Sequence, residues 1–501
     1  MHAEMKARTL SMIYYIGEIL MVLAVCQLIP LFTSVLYKET RFVYIFSVTT
    51  SIMVIIAAFL LLLGGKYRDV HLSSGEGMTV ASASWLAGML LCALPYYMSG
   101  NYLSYLDCCF DVMSGLTTTG LTMIQNMDHL SNGLNMWRFV LTYIGGQGMV
   151  VLALSFLTRD TGSAYKMYVG EAKDEQIRPG AVSTARMIWK ISLLYLGIGW
   201  ITMTIAGLVA GMPMGNAVLH GLWIFMSGWS TGGFAPNSQN ILYYHSVIYE
   251  LATVVFFTTG SFNFALHYSV LSGNKRELRK NIEIVSFTVT LTVLTLLTTY
   301  ALMRNHIYPN VAALFRKGFY QMISGHTTTG FMSLYARQIY HDWGDLAIFA
   351  MILAMLFGGS ACSTAGGFKG LRIGIIFNAI RAEIRQYTVP QSRILTTRIH
   401  HIRDIILTDN MIRSAFSIVF LYLITFSIGT VIGMAAGYSG VESAFESASV
   451  TGNVGLSIGV TSPSNPAFLK ITYILIMWLA RLEFISVLTL IAQMIRRVIK
   501  R

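Results

Sequence analysis

The sequence predicts an all-α polytopic membrane protein, with two leading spans and four span–pore helix–span repeats around a pseudo-four-fold central pore. Three observations predict it. The chain has 501 residues, is 54% hydrophobic and carries 12% charged residues, where a soluble domain carries about 25%. Apolar runs long enough to cross a bilayer recur along its whole length. Between them a short hydroxyl- and glycine-rich segment returns four times. Its copies are Ser114-Gly-Leu-Thr-Thr-Thr-Gly120-Leu, Ser227-Gly-Trp-Ser-Thr-Gly-Gly233-Phe, Ser324-Gly-His-Thr-Thr-Thr-Gly330-Phe and the more divergent Ser449-Val-Thr-Gly-Asn-Val-Gly455-Leu. Aligned on the last glycine, each has serine six positions before it and Leu or Phe directly after it.

Residues 1–76 hold the two leading spans, about Ser11–Leu36 and Val43–Leu63, closed by a turn at Gly64 and Gly65. The first apolar run is too long for the h-region of a signal peptide and lacks a convincing cleavage site, so it reads as a span. Repeat 1 (77–160) reads as a span to about Met98, a half-helix at Tyr102–Gly115 that is too short to cross, the glycine segment, and a span at Leu134–Leu157. Repeat 2 (184–273) has a span at Ile188–Ala210, a half-helix at Asn216–Trp229 and a span at Ser246–Leu271. Repeat 3 (281–380) has a span at Ile282–Met303, a half-helix at Val311–Gly325 and a second span from about Leu346. A basic cytoplasmic linker (381–410) leads to repeat 4 (411–501), with a span at Ile412–Ala436, a half-helix at Val441–Ser449 and a span at Phe468–Met494. The period is too long for a solenoid unit. The even tally of spans puts both termini on one side.

The second span of repeat 3 is interrupted by Gly358-Gly359-Ser360-Ala-Cys-Ser-Thr-Ala-Gly366-Gly367-Phe-Lys369. So many small polar residues in succession weaken a helix, and neither spacing nor context fits a phosphate-binding loop. The stretch reads as a broken helix whose loop lies under the glycine segments.

The net charge of +12 excludes little until its distribution is considered. Lys and Arg gather in alternate loops: Lys166 to Lys190, including Lys173; Lys275 to Lys280; Arg372 to Arg413; and Arg496 to Lys500 and Arg501. This is the positive-inside pattern, with cytoplasmic termini, and it assigns the charge to orientation and anionic lipid rather than nucleic acid. The same surface can dock a cytoplasmic partner. The five cysteines show neither disulfide nor metal-ligand spacing. No convergent set of catalytic side chains is visible, which argues against an enzyme.

A cation entering a membrane must exchange its water for fixed oxygens, and rings of backbone carbonyls provide them without full charge. Such backbone needs glycine at positive φ or close approach. It survives at membrane depth only when buried in protein or lining water. Each half-helix would end at its segment and aim a partial negative charge at the cation. Asp111 and Glu446 stand nine residues before Gly120 and Gly455. Carboxylates at this depth are functional or paired; they either draw cations or hydrogen-bond the segment's backbone. Arg481, near the middle of the last span, is too central to snorkel. It either lines the pore as a positive barrier or pairs with a buried carboxylate.

These motifs resemble those of the Trk/Ktr/HKT superfamily of potassium transporters, most closely its TrkH branch, over essentially the whole chain. The resemblance implies four filter glycines at Gly120, Gly233, Gly330 and Gly455. It implies that potassium, the transported ion, is held by carbonyls of Thr118 and Thr119, Thr231 and Gly232, Thr328 and Thr329, and Asn453 and Val454. Glycine in all four quarters implies potassium preference. It further implies gating by the broken helix (Gly358, Gly359, Ser360, Gly366, Gly367) and by Arg481, no covalent cofactor, an inner-membrane homodimer, and a nucleotide-binding regulatory subunit of the TrkA type. Two alternatives stay open: a proton- or sodium-coupled potassium symporter, and a less selective monovalent cation transporter. The parallel orientation of the repeats disfavours the inverted-repeat secondary transporters.

Overall fold

The computed structural model of the chain describes residues 2–156, 162–171, 175, 177–388 and 396–499. Leu157, Lys173, Lys500, Arg501 and part of the basic linker lie outside these residues. Among the described residues, six helices are long and apolar enough to cross a membrane: Glu4–Leu36, Thr40–Tyr67, Ser74–Ser99, Ala181–Val209, Ile282–Arg304 and Asp409–Ala435. They are the two leading spans and the first span of each repeat. Their outward faces expose large apolar side chains such as Phe32, Leu62, Ile201 and Phe420, as a lipid-facing surface requires.

After each first span the chain reverses through a positive-φ residue, Gly100, Gly211, His306 or Gly437. It then re-enters as a short pore helix. These helices are Tyr105–Leu116, Met214–Trp229, Val311–His326 (α-helical at both ends with a π turn at Phe315–Phe319) and Gly440–Gly452. Three start on a side-chain cap: Ser104 accepts from Asp107 N, Asn310 from Ala313 N, and Ser439 forms a capping box with Glu442. The second starts after Pro213, with no N–H to satisfy there.

The second spans differ from the expectation. Only the third was expected to break, yet all four do. Asn132–Gln147 and Met149–Phe156 meet at 80°, Val247–Gly260 and Phe264–Leu271 at 101°, and Ala467–Arg481 and Ile485–Arg496 at 112°. In repeat 3 the halves are Gly344–Phe357 and Gly370–Gln386. Each break has an identifiable cause. Gly148 turns at φ 109°; Asn263 caps the restarting helix at Ala265 N; Glu483 and Phe484 sit at φ 51° and 67°, which non-glycine residues adopt only under tertiary constraint. Just before the first two breaks the span presses on the end of its own pore helix. A Cβ on Gly145 would collide with the Leu116 carbonyl, and one on Gly260 with that of Trp229.

The repeats are tied together on the side of the loops that follow the glycine segments, here called outer. Lys470 of repeat 4 pairs with the fully buried Asp107 of repeat 1 at 2.5 Å. Arg316 of repeat 3 clasps Glu250 of repeat 2 through two bonds of 2.7 and 2.8 Å. Arg337 of repeat 3 meets Glu442 of repeat 4 at 3.0 Å. On the inner side, that of the basic loops, the linker carries regular structure of its own. It holds an antiparallel hairpin, β1 (Arg398–His401) and β2 (Arg403–Ile406), the one departure from all-α structure among the described residues. Alternation places Ile399 and His401 on its buried face.

Candidate functional site

The four glycine segments meet in one buried ring. Each leaves its pore helix through the same backbone path. The residue two before the glycine has positive φ in every copy: Thr118 57°, Thr231 50°, Thr328 55° and Asn453 52°. The glycine itself follows at 88°, 67°, 80° and 92°. The amide just before it bonds back to the carbonyl of the serine six positions before the glycine. Thr119 N reaches Ser114 O at 2.8 Å, Gly232 N reaches Ser227 O at 2.8 Å, Thr329 N reaches Ser324 O at 2.9 Å and Val454 N reaches Ser449 O at 2.8 Å. The invariant serine thus works through its carbonyl in all four copies.

The ring closes in cyclic order. A Cβ on Gly120 would lie 2.5 Å from the Gly232 carbonyl oxygen of repeat 2. One on Gly233 would fall on Thr329 O of repeat 3, one on Gly330 on Val454 O of repeat 4, and one on Gly455 on Thr119 O of repeat 1. Glycine is required at each position twice over, by its φ and by the neighbour's carbonyl. The side chains of Thr118, Thr119, Thr231, Thr328, Thr329, Asn453 and Val454 are all buried. The pore helices end at this ring, so their dipoles add partial negative charge around it.

The outer side of the ring is held from the pore helices. Asp111 accepts from Met123 N at 2.6 Å and from the hydroxyls of Thr122 and Tyr102, each at 2.9 Å. Gln321, at the matching place in repeat 3, accepts from Ser333 N at 2.7 Å. Glu446 accepts from Val460 N and the Thr461 hydroxyl, each at 3.1 Å, and from Ser457. Asp111 and Glu446 thus hydrogen-bond the backbone that follows their own segments. Repeat 2 has Ile224 at this place, and Asn240 takes over: its Nδ2 donates to Gly233 O at 3.1 Å, and its Oδ1 accepts from Met332 N at 3.1 Å. Asn240 escaped the sequence reading, although the apolar Ile224 in an otherwise polar position was a signal that an anchor stood elsewhere.

The inner side is covered by the broken-helix loop and Arg481. Gly366 N donates to the Thr328 hydroxyl at 2.8 Å, and the hydroxyls of Thr364 and Thr231 lie 3.2 Å apart. Thr364 also donates to Gly260 O at 2.8 Å, and Gly366 packs so closely on Gly452 of repeat 4 that a Cβ would strike its carbonyl. Gly358 and Gly367 turn the loop at φ 71° and 75° and lie against each other, and Gly359 and Ser360 rest on Ser261, Ser360 N donating to its carbonyl at 2.9 Å. Arg481 donates to Thr364 O at 2.6 Å, Thr118 Oγ1 at 3.3 Å, Gly145 O at 2.5 Å and Gly146 O at 2.9 Å. Its guanidinium therefore joins the loop, the first quarter of the ring and the first broken span. The helix ends at Arg481, and Glu483 pairs with Arg372 beyond the loop.

The quarters are not equal. Repeats 1 and 3 carry hydroxyl pairs, Thr117–Thr119 and Thr327–Thr329, each at 2.8 Å. Repeats 2 and 4 lack them. In repeat 4 Asn453 Nδ2 reaches across to the Thr119 hydroxyl at 3.1 Å and to Met477 O at 3.2 Å. No group of three metal-ligating His, Cys, Asp or Glu side chains exists among the described residues, so the oxygens offered here are carbonyls and hydroxyls, a set suited to a hard, weakly charged ion.

Comparison with known proteins gives a consistent picture. A model of the TrkH family, described as cation transport protein, matches residues 45–497. An uncharacterized cation transporter of Methanocaldococcus jannaschii is 30% identical over 482 residues, 96% of this chain and 95% of its own. The Trk system potassium uptake protein TrkG of Escherichia coli K12 is 29% identical over 490 residues, covering 95% and 96%. The crystal structure of the potassium transporter TrkH from Vibrio parahaemolyticus superposes with a TM-score of 0.82 over 96% of this chain and 98% of that one, at 24% identity.

Proposed function

Because the chain belongs to the TrkH family of cation transport proteins, and so to transporters rather than enzymes, we propose that it takes up potassium across the inner membrane through the ring of four glycine segments. The observation that carries this reading is the cyclic contact of each glycine with the carbonyl of the next quarter. Potassium, as substrate, sheds its water against the carbonyls of Thr118, Thr119, Thr231, Gly232, Thr328, Thr329, Asn453 and Val454, and the pore-helix dipoles offset its charge. Asp111, Gln321 and Glu446 keep the ring's dimensions, so that the smaller sodium ion recovers less of its hydration energy. The loop at Gly358–Lys369 and Arg481 govern the inner exit. Relatives named for a Trk system support an accessory regulatory subunit as partner; in this proposal it is cytoplasmic and nucleotide-binding, and it acts on a homodimer whose termini are cytoplasmic.

Flux of potassium against sodium into liposomes, with and without a proton gradient, tests this reading. Potassium flux exceeding sodium flux and indifferent to the gradient is the expected result. Equal fluxes would contradict the filter, and gradient-driven accumulation would favour the symporter.

A further inference from the structure

The loop beneath the ring is gripped from the cytoplasmic side by a residue that neither the motifs nor the pore geometry singled out. Glu283 begins the first span of repeat 3 and is 1% exposed. Its Oε1 accepts from Ala361 N, inside the loop, at 2.6 Å. Its main chain faces the loop's other end, where a Cβ on Gly370 would lie 3.2 Å from Glu283 O. One residue thus bonds the loop and packs against the start of the helix that follows it. An amide bonded to a buried carboxylate is worth more than an ordinary backbone bond, and losing the acceptor strands the donor.

Glu283 is itself held from the hairpin. Its Oε2 lies 3.4 Å from Asn263 Nδ2, which also donates to Glu175 at 2.8 Å. Asn263 sits at the break of the second span of repeat 2 and caps it at Ala265 N. His401 of β1 bonds Glu175 through Nε2, while its Nδ1 lies 3.8 Å from Glu283 Oε2 and 3.4 Å from Asn281 Oδ1. Asn281 in turn caps Glu283 N at 3.0 Å. A continuous set of buried polar contacts therefore runs from a cytoplasmic hairpin, through Glu175, Asn263 and Glu283, to the loop under the ring. A hollow of ≈ 760 Å³ beside it is lined by Glu175, Tyr268, His401 and Arg403.

We propose that Glu283 is the positioning residue that latches the intramembrane loop, and that the β1–β2 hairpin sets this latch through His401. The proposal rests on the reading of the loop as the inner gate. It makes the hairpin the place where a cytoplasmic partner's motion enters the membrane.

The test uses the full chain in liposomes with potassium and sodium as probes, alongside a chain shortened within Ser360–Ala365. Loss of one charge-assisted bond predicts a roughly ten-fold rise in basal potassium flux for Glu283→Ala. Glu283→Gln, which keeps an acceptor for Ala361 N but not its charge, should rise by a smaller factor than Glu283→Ala, and so should His401→Ala. The potassium-to-sodium ratio should hold in all three. Thiol labelling of Cys362, a buried residue of the loop, should accelerate in Glu283→Ala and His401→Ala when followed by peptide mass spectrometry. If the shortened loop raises flux while Glu283→Ala changes neither flux nor labelling, the latch is overturned and the gate stands. If neither raises flux, gate and latch fall together. Should Glu283→Ala not accumulate, His401→Ala decides: faster Cys362 labelling supports the latch and unchanged labelling overturns it.

Discussion

The outer side of the glycine ring is held by residues close in sequence to their own segments, and the inner side by contacts with elements distant in sequence. Outside, Asp111, Gln321 and Glu446 bond backbone only a few residues beyond their own segments, and Lys470–Asp107 and Arg316–Glu250 lock neighbouring repeats. Inside, Thr118, Thr231 and Thr328 bond to Arg481, Thr364 and Gly366, which sit at a helix break or in a glycine-rich loop. Short-range anchors preserve a dimension; long-range, single-bond contacts can be exchanged. Under the proposed function, the side chains that complete the ring on its inner face are the ones through which its exit is uncovered.

The largest departure should come from breaking the ring itself. Gly330→Ala places a Cβ on Val454 O at a φ of 80°, so the quarter must move, and discrimination between potassium and sodium should collapse toward unity in liposome flux. Next is the outer lock. Lys470→Met leaves Asp107 buried without its partner, which costs about 3–5 kcal/mol; the detergent-solubilised chain should melt markedly lower, with little change in the ion ratio of what remains folded. A smaller effect is expected from Glu446→Gln, which keeps one acceptor but loses the charge-assisted bonds to Val460 and Thr461, about 1–3 kcal/mol. It should lower the potassium-to-sodium ratio without raising basal flux, and a rise in flux at constant ratio would erase the contrast between the two sides.

The smallest effect concerns the hairpin on the inner side. His400 lies 2.7 Å from Asp404 and 3.1 Å from Glu277, and these hydrogen bonds, that to Asp404 foremost, raise its pKa above the ordinary value. The protonated imidazole therefore favours the docked hairpin. That contribution is complete below the unfolded value of about 6.5 and is lost as pH rises through the raised one. The protection of β1 amides from hydrogen exchange should fall with pH across this window, and His400→Gln should flatten the dependence.

Much of this was legible in the sequence because the repeat is local. Serine, hydroxyls and glycine recur at fixed spacing, and an apolar run too short to span announces each pore helix. The interruption at Gly358–Lys369 was legible too, since small residues in succession cannot hold a helix. The other breaks were not. Trp478-Leu-Ala-Arg481-Leu-Glu483-Phe484 has good helix formers throughout, and the chain turns there because Arg481 and Glu483 find partners in Thr364, Gly145 and Arg372, which no local pattern records. Gly148 follows Gly145 and Gly146 closely enough to have hinted at a turn. Glu283 reads locally as an ordinary acid in a helix's first turn; its contact with Ala361 spans most of repeat 3. Asn240 and His401 were hidden for the same reason, since Met332 and Glu175 lie far from them in the chain.

The contrast between the two sides is tested most directly by potassium and sodium flux through Arg481→Ala in the same liposomes. Removing the guanidinium frees Thr364 O, Thr118 and the Gly145–Gly146 carbonyls while leaving every outer anchor in place. Potassium flux should rise with the potassium-to-sodium ratio unchanged. A ratio that falls together with the rise, or flux that does not rise at all, would contradict a ring whose selectivity is set outside and whose opening is set inside.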